Sequence, residues 1–227
     1  MRFYLYLIFQ INFLFTLAAQ TGLITELDSL YREDQFYVSV TYNTLINLPR
    51  NVSQNSFSPG IHLGFVRDFP LNKRRNIALA LGLGYSFNSY NHNIRISESN
   101  PSIYTIINNS NFVKNNFSLH LLEVPFEFRW RTSNVESYKF WRIYTGFKLG
   151  YIVGSKSVYN DGLESINMKN LTDLNKLQYG ITMSVGYNTW NGFIYYGLNP
   201  VFNEVSTADL QSIDMSTLKI GLIFYIL

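Results

Sequence analysis

The stretch that decides the fold is 76-NIALALGLGYSFNS-89. Ile77, Leu79, Leu81, Leu83, Tyr85 and Phe87 alternate with Ala78, Ala80, Gly82, Gly84, Ser86 and Asn88. Successive side chains of a strand point to opposite faces, so this period-two pattern reads as a strand with one bulky apolar face and one small or polar face. A ligand-binding barrel in water would keep its apolar side chains inside and put Lys and Glu outside. Here the bulky face is continuously apolar, which calls for a hydrocarbon solvent around it. Small residues and glycines on the other face suit a narrow, filled interior.

The same design recurs at 35–44, where Phe36, Val38, Val40 and Tyr42 alternate with Tyr37, Ser39, Thr41 and Asn43, and at 176–189. Noisier runs at 60–69, 117–131, 139–153, 193–202 and 216–227 fit the same template and bring the number of strands to eight. In the run 117–131 Leu119 and Leu121 share one parity while Val124, Phe126, Phe128 and Trp130 share the other, so a bulge is expected near 121–123. An antiparallel sandwich packs apolar faces together and would also alternate. Connector lengths discriminate between the two. The connections at 46–59, 94–116, 154–175 and 203–215 are long; those at 70–75, 132–138 and 190–192 are short, the last carrying the Asn191-Gly192 pair suited to a tight hairpin. Alternation of long and short connections belongs to an even-stranded outer-membrane barrel. The expected fold is therefore all-β, an eight-stranded antiparallel up-and-down transmembrane β-barrel over residues 35–227, with both termini periplasmic and the long loops extracellular.

Composition agrees with this reading. Aromatic residues make up 17% of the chain and charged residues only 15%. The net charge of +3 is too small for a polybasic nucleic-acid surface, and nucleic acid is not an expected partner. With no cysteine, disulfides and thiolate chemistry are excluded. At the N-terminus Arg2 precedes an apolar run over 3–17 that ends in Ala18-Ala19-Gln20. The run is short for a membrane anchor and reads as a signal peptide over residues 1–19. Residues 20–34 are then a periplasmic segment, either a short helix with Leu23, Leu27, Leu30 and Tyr31 on one face or an unstructured tail. Trp130, Trp141 and Trp190 all fall at expected periplasmic strand ends, where an amphipathic ring sits at headgroup level. Tyr42, Phe87, Tyr90, Tyr151 and Tyr179 are expected to mark the opposite girdle.

The last strand, Lys219-x-Gly221-x-x-Phe224-x-Ile226, resembles the signal that outer-membrane assembly machinery reads, although it ends in Leu227 where an aromatic residue is common. Leu122-Glu123-Val124-Pro125, with Arg129-Trp130-Arg131 and 140-FWRIYTG-146, resembles segments of PorT-like, porin-family outer-membrane barrels. The resemblance implies an eight-stranded outer-membrane fold. Through relatives that support protein secretion it also implies a place beside an envelope assembly, although no residue here carries that role over.

Six charges, Glu123, Glu127, Arg129, Arg131, Arg142 and Lys148, project into the lumen if 117–131 and 139–153 form a hairpin. The register expected for that hairpin puts Glu123 opposite Lys148 and Arg129 opposite Arg142, with Glu127 diagonal to Arg142. Such a set is either a selective conduit or a neutralised polar core, and barrel width favours the core. Ser89, His92 and Asp161 could on paper form a catalytic trio at the loop end, but no motif joins them and a loop histidine is more commonly solvated. His62 and His120 lack metal-ligand spacing. No catalytic, cofactor-binding or metal residue is therefore expected. The sequence reads as a non-enzymatic outer-membrane barrel that contacts outer-membrane lipids, the assembly machinery and a larger envelope or secretion complex. A narrow channel or uptake barrel is the alternative.

Overall fold

The computed structural model describes residues 34–54, 56–97, 102–107, 112–132 and 140–226. The expected signal peptide, residues 20–33 of the segment after it, and the turn at 133–139 lie outside the described residues. Among the described residues eleven strands follow one another: β1 Asp34–Ile46, β2 Pro59–Pro70, β3 Ile77–Asn91, β4 Ile94–Ser97, β5 Ile103–Ile106, β6 Lys114–Arg131, β7 Trp141–Asn160, β8 Ser165–Lys169, β9 Leu177–Tyr187, β10 Trp190–Gly197 and β11 Ser216–Ile226. Eight of them close into a ring in the order β1, β2, β3, β6, β7, β9, β10, β11, and every neighbouring pair is antiparallel. These eight are the strands the alternating pattern marks. The seam between β1 and β11 runs from Phe36 opposite Ile226 to Ile46 opposite Ser216, so the ring has no free edge. The short strands lie in the long loops: β4 pairs with β5, and β8 returns along the far end of β7.

Inside and outside follow sequence parity. Outward residues of the eight strands are large and apolar: Val40, Leu63, Leu83, Phe126, Ile181 and Ile220 are all exposed. A band of this kind around a whole molecule is not maintained in water, where each such side chain gains roughly 1.5–3 kcal/mol from burial. Among the described residues no helix is long and apolar enough to cross a membrane. Trp130, Trp141 and Trp190 point outward at the rim of short turns; Trp141 packs on Tyr187 at 5.4 Å and Trp190 on Phe224 at 5.4 Å. Inward glycines make room for large interior rings. A Cβ on Gly64 would fall 2.5 Å from the Tyr37 ring, and Gly84 meets the same hydroxyl, so Tyr37 lies flat across β2 and β3.

Four expectations are corrected. In β6 the odd residues from Asn115 to Arg131 are buried without a break. Leu119 and Leu121 share the inward face of Glu123 and Arg129, because the interior itself changes from polar at the short-turn end to apolar at the long-loop end. The register shift lies on β7, where Gly154 pairs with His120 and Ile152 with Leu121, leaving Val153 as the extra residue. The β6–β7 register is displaced by two residues from the expected one: Glu123 faces Gly150, Lys148 faces Pro125, Arg129 faces Tyr144 and Arg131 faces Arg142. A two-residue shift keeps every side chain on its face. The tight hairpin between β9 and β10 is made by Asn188 and Thr189, with Tyr187 opposite Trp190; Asn188 adopts φ 56°, which asparagine tolerates, and Asn191 and Gly192 sit within β10. Finally, Tyr90 belongs to no girdle. It is buried inside the ring, stacked on Phe117 at 4.8 Å.

Candidate functional site

The interior holds three layers. Nearest the short turns, Arg129 is fully buried and donates from Nη1 to Asp68 Oδ1 at 2.6 Å and to Gln35 Oε1 at 3.0 Å. Its Nε and Nη2 both donate to Glu127 Oε2, at 2.9 and 2.7 Å. The guanidinium lies over the Tyr144 and Tyr225 rings at 4.5 and 5.0 Å. Arg131 pairs with the second Asp68 oxygen at 2.8 Å and donates from Nε to the Arg75 carbonyl. The planar, multi-donor guanidinium is what allows one cation to bind two carboxylates and stack on two rings. Arg142, half-buried at the short-turn rim, lies over Phe140 at 4.5 Å and has no carboxylate partner among the described residues.

Above this layer Glu123 is saturated. Its Oε1 accepts from Ser86 Oγ at 2.8 Å and from His62 Nδ1 at 3.1 Å, and its Oε2 accepts from Lys148 Nζ at 2.9 Å. Glu123 and Lys148 thus meet diagonally and not as the directly opposed pair the expected register makes. Their neighbours extend the network along β1 and β3: Asn88 Nδ2 donates to Ser86 Oγ, Asn43 Nδ2 to Asn88 Oδ1 and Thr41 Oγ1 to Asn43 Oδ1. Lys219 is also buried here, with Nζ 5.0 Å from the Tyr195 ring centre.

The third layer is apolar. Inward Leu45, Tyr90, Phe117, Leu119, Leu121 and Ile152 meet side chains brought in by the loops, including Ile94, Ile96, Tyr104, Phe202, Ile213 and Met215. Phe202 packs edge-on against both Tyr104 and Phe117 at 5.5 and 5.6 Å. Hydrogen bonds tie the loops to one another. Asn93 receives from Ser53 N and donates to the Asn51 and Ile107 carbonyls, Arg50 N donates to Gln211 Oε1, and Tyr104 Oη donates to Asp173 Oδ2. Arg95 pairs with Glu164 at 2.7 Å, joining β4 to the β7–β8 turn.

All six lumen charges named from sequence face the interior, with Arg142 at its rim. Three contributors were missed. Asp68 and His62 share parity on β2, a signal blurred by the noise of that strand, and Lys219 was read only as part of an assembly signal. Of that signal, Lys219 points inward, Gly221 lies against the Val40 and Thr41 backbone at the seam, Phe224 packs on Trp190, and Ile226 is outward on the last rung.

The Ser89, His92 and Asp161 trio is dispersed. Ser89 Oγ accepts from Asn116, His92 is buried beside Phe117 with Nδ1 accepting from Ile94 N, and Asp161 caps the exposed β7–β8 turn by accepting from Leu163 N and Glu164 N. Burial lowers the His92 imidazole from 6.5 to about 4. Backbone hydrogen bonds from Glu164 and Leu163 hold the Asp161 carboxyl below its ordinary range. Among the described residues no group of three His, Asp or Glu side chains is placed to hold a metal ion.

No curated protein matches the chain. Among solved structures it is similar to Ail, the attachment invasion locus protein of Yersinia pestis, at 13% identity over 85% of this chain and 100% of that one, with a TM-score of 0.31. That score is too low to support any argument, and the fold rests on the strand pairing described above. The family model for the outer membrane protein beta-barrel domain matches residues 8–203. Ring closure, the outward apolar band and this match together make the chain a member of the outer membrane protein beta-barrel domain family, a protein of the bacterial outer membrane.

Proposed function

We propose that this barrel is a closed, non-conducting and non-enzymatic platform that holds a rigid crown of loops at the outer-membrane surface for a partner in a larger envelope assembly. The observation that carries the reading is the filling of the lumen. A buried ion network occupies its lower half, and the apolar layer, to which all four long loops contribute, closes its upper half. A conduit needs a continuous wetted path, and an eight-stranded ring is only wide enough to hold packed side chains. In this reading the short turns and both termini face the periplasm and the crown faces outward, which agrees with the Trp-lined short-turn rim and with short periplasmic turns in such barrels. The assembly machinery recognises β11, and lipids cover the band. The PorT-like resemblance makes a secretion assembly the first candidate partner. Exposed Leu163 and Leu210 at the loop tips are the side chains most available to it.

The test combines two measurements. Purified barrel in planar bilayers is expected to give no single-channel current; steady conductance overturns the closed-platform reading. On intact cells a tag beside Asp161 is expected to be accessible to antibody and a tag between Lys73 and Arg75 only after permeabilisation. The opposite pattern inverts the orientation.

A further inference from the structure

On the outer wall of β7 the apolar band gives way to positive charge at the bulge. From Trp141 to Val153 the odd residues of β7 are exposed; the extra residue reverses the parity, so Ser155, Ser157 and Tyr159 are buried and Lys156 is turned outward. β8 sets Lys169 directly opposite Lys156, also exposed. Lys169 lies on an edge strand, where a lysine alone serves to discourage pairing. Lys156 lies on a strand paired on both sides and gains nothing from that role. Like charges directly opposed destabilise a ladder; an anion between them reverses the sign. A third lysine stands beside the pair. Lys176, exposed just before β9, lines an open recess of about 310 Å³ with Val153, Gly154, Ser155 and Asn170. Its walls are fixed by Ile152 N donating to the Lys176 carbonyl and Asn170 N to the Ser155 carbonyl, both at 2.8 Å. None of the three ammonium groups has an ion pair or hydrogen bond among the described residues. The acids nearby are engaged: Asp173 accepts from Tyr104 and Thr172, and Glu164 pairs with Arg95 at the far end of the β7–β8 ladder. On the band side of the lysines, Tyr151, Val153 and Leu177 are exposed.

We propose that Lys156, Lys169 and Lys176 bind the phosphate headgroup of a membrane lipid whose acyl chains lie against Tyr151, Val153 and Leu177. Cations above an apolar wall match the two halves of such a lipid. Lysine meets phosphate as a compact point charge, and its stem lies along apolar surface while its head stays at the wet boundary. An acidic protein segment satisfies the charges but leaves the apolar wall unused. Only the leaflet that supplies the lipid, the outer one, rests on the orientation read under the proposed function.

The test uses the full mature chain folded in a zwitterionic detergent and titrated with phosphatidic acid, with diacylglycerol of the same chains, and with inorganic phosphate, complexes being counted by native mass spectrometry. Phosphatidic acid is expected to bind saturably, one per chain, and the other two far more weakly. Changing Lys156, Lys169 and Lys176 together to glutamine should weaken that binding by about a hundredfold, about fivefold for each lysine, with heat-modifiable folding retained. Changing Lys73 and Arg74 to glutamine, which removes exposed charge from the short-turn rim, should leave it unchanged. Undiminished binding by the triple variant, or equal loss in both variants, overturns the proposal. Inorganic phosphate binding as tightly as the lipid overturns the lipid assignment in favour of a free anion. Detergent has no sides, so these outcomes are independent of the orientation that the antibody tags test.

Discussion

Arg129 shows how a single side chain organises the lower lumen. It is shared by Asp68 and Glu127, so replacing it with methionine strands Glu127 and leaves Asp68 with Arg131 alone, in a place with little access to water. The expected cost of Arg129→Met is about 3–5 kcal/mol of folding stability, by analogy with buried pairs in soluble proteins. Denaturant unfolding in lipid vesicles measures it. Adding Glu127→Gln to Arg129→Met should cost less than the two single changes summed, because the second change removes a charge the first has stranded. His92 gives a pH-dependent counterpart in the crown. Its imidazole is lowered from 6.5 to about 4, so between those values the opened crown binds more protons than the packed one. The stability it contributes is full above pH 6.5 and is lost as the pH falls towards 4. Limited proteolysis of the long loops should therefore speed up at pH 5 relative to pH 7, and His92→Phe should flatten that dependence. Equal cleavage rates for the native chain at both values would refute the assignment.

Among the elements, the outward faces of the strands and the seam set the terms of assembly. Leu83, midway along β3 and 70% exposed, should tolerate charge least. Leu83→Arg is expected to cost about 2–4 kcal/mol and Trp190→Arg, at the short-turn rim, about 0–1 kcal/mol. The yield of heat-modifiable folded barrel after refolding into vesicles would reveal the gradient, and equal yields would contradict the lipid-facing reading of β3. At the seam, any side chain on Gly221 meets the β1 backbone near Thr41, so Gly221→Val should lower the amount of assembled barrel in the outer membrane. The eight wall strands, and the inward and outward faces of most of them, were legible in the sequence because a hydrocarbon surround forces alternation. The register was not legible. Cross-strand partners depend on the turn and on the stagger of the whole ring, which is why Glu123 and Lys148 were brought together correctly in kind but through a diagonal contact. The bulge at Val153 was masked by a change in the chemistry of the lumen, since Leu119 and Leu121 imitate lipid-facing residues while pointing inward. The crown residues Ile94, Tyr104, Phe202 and Met215 come from irregular segments and short strands, where apolar side chains carry no period to read.

At the scale of the whole molecule, the crown and the ring are expected to open separately. The ring is held by continuous strand pairing, and the crown by an apolar cluster centred on Phe117 and Phe202. Phe202→Ala should cost about 3–5 kcal/mol of local packing. That loss is expected to expose the loops to protease while leaving the membrane-embedded ring intact and heat-modifiable. Loss of the ring with the crown would show that the two fold as one unit. The seam has a further consequence, for timing. Most neighbours in the ring are close in the chain, but β1 pairs with β11, which lies at the far end of the described chain. Pairs so distant in sequence are the slowest to form. Until β11 arrives, β1 keeps an unpaired edge that can template aggregation, and closure of the seam removes it.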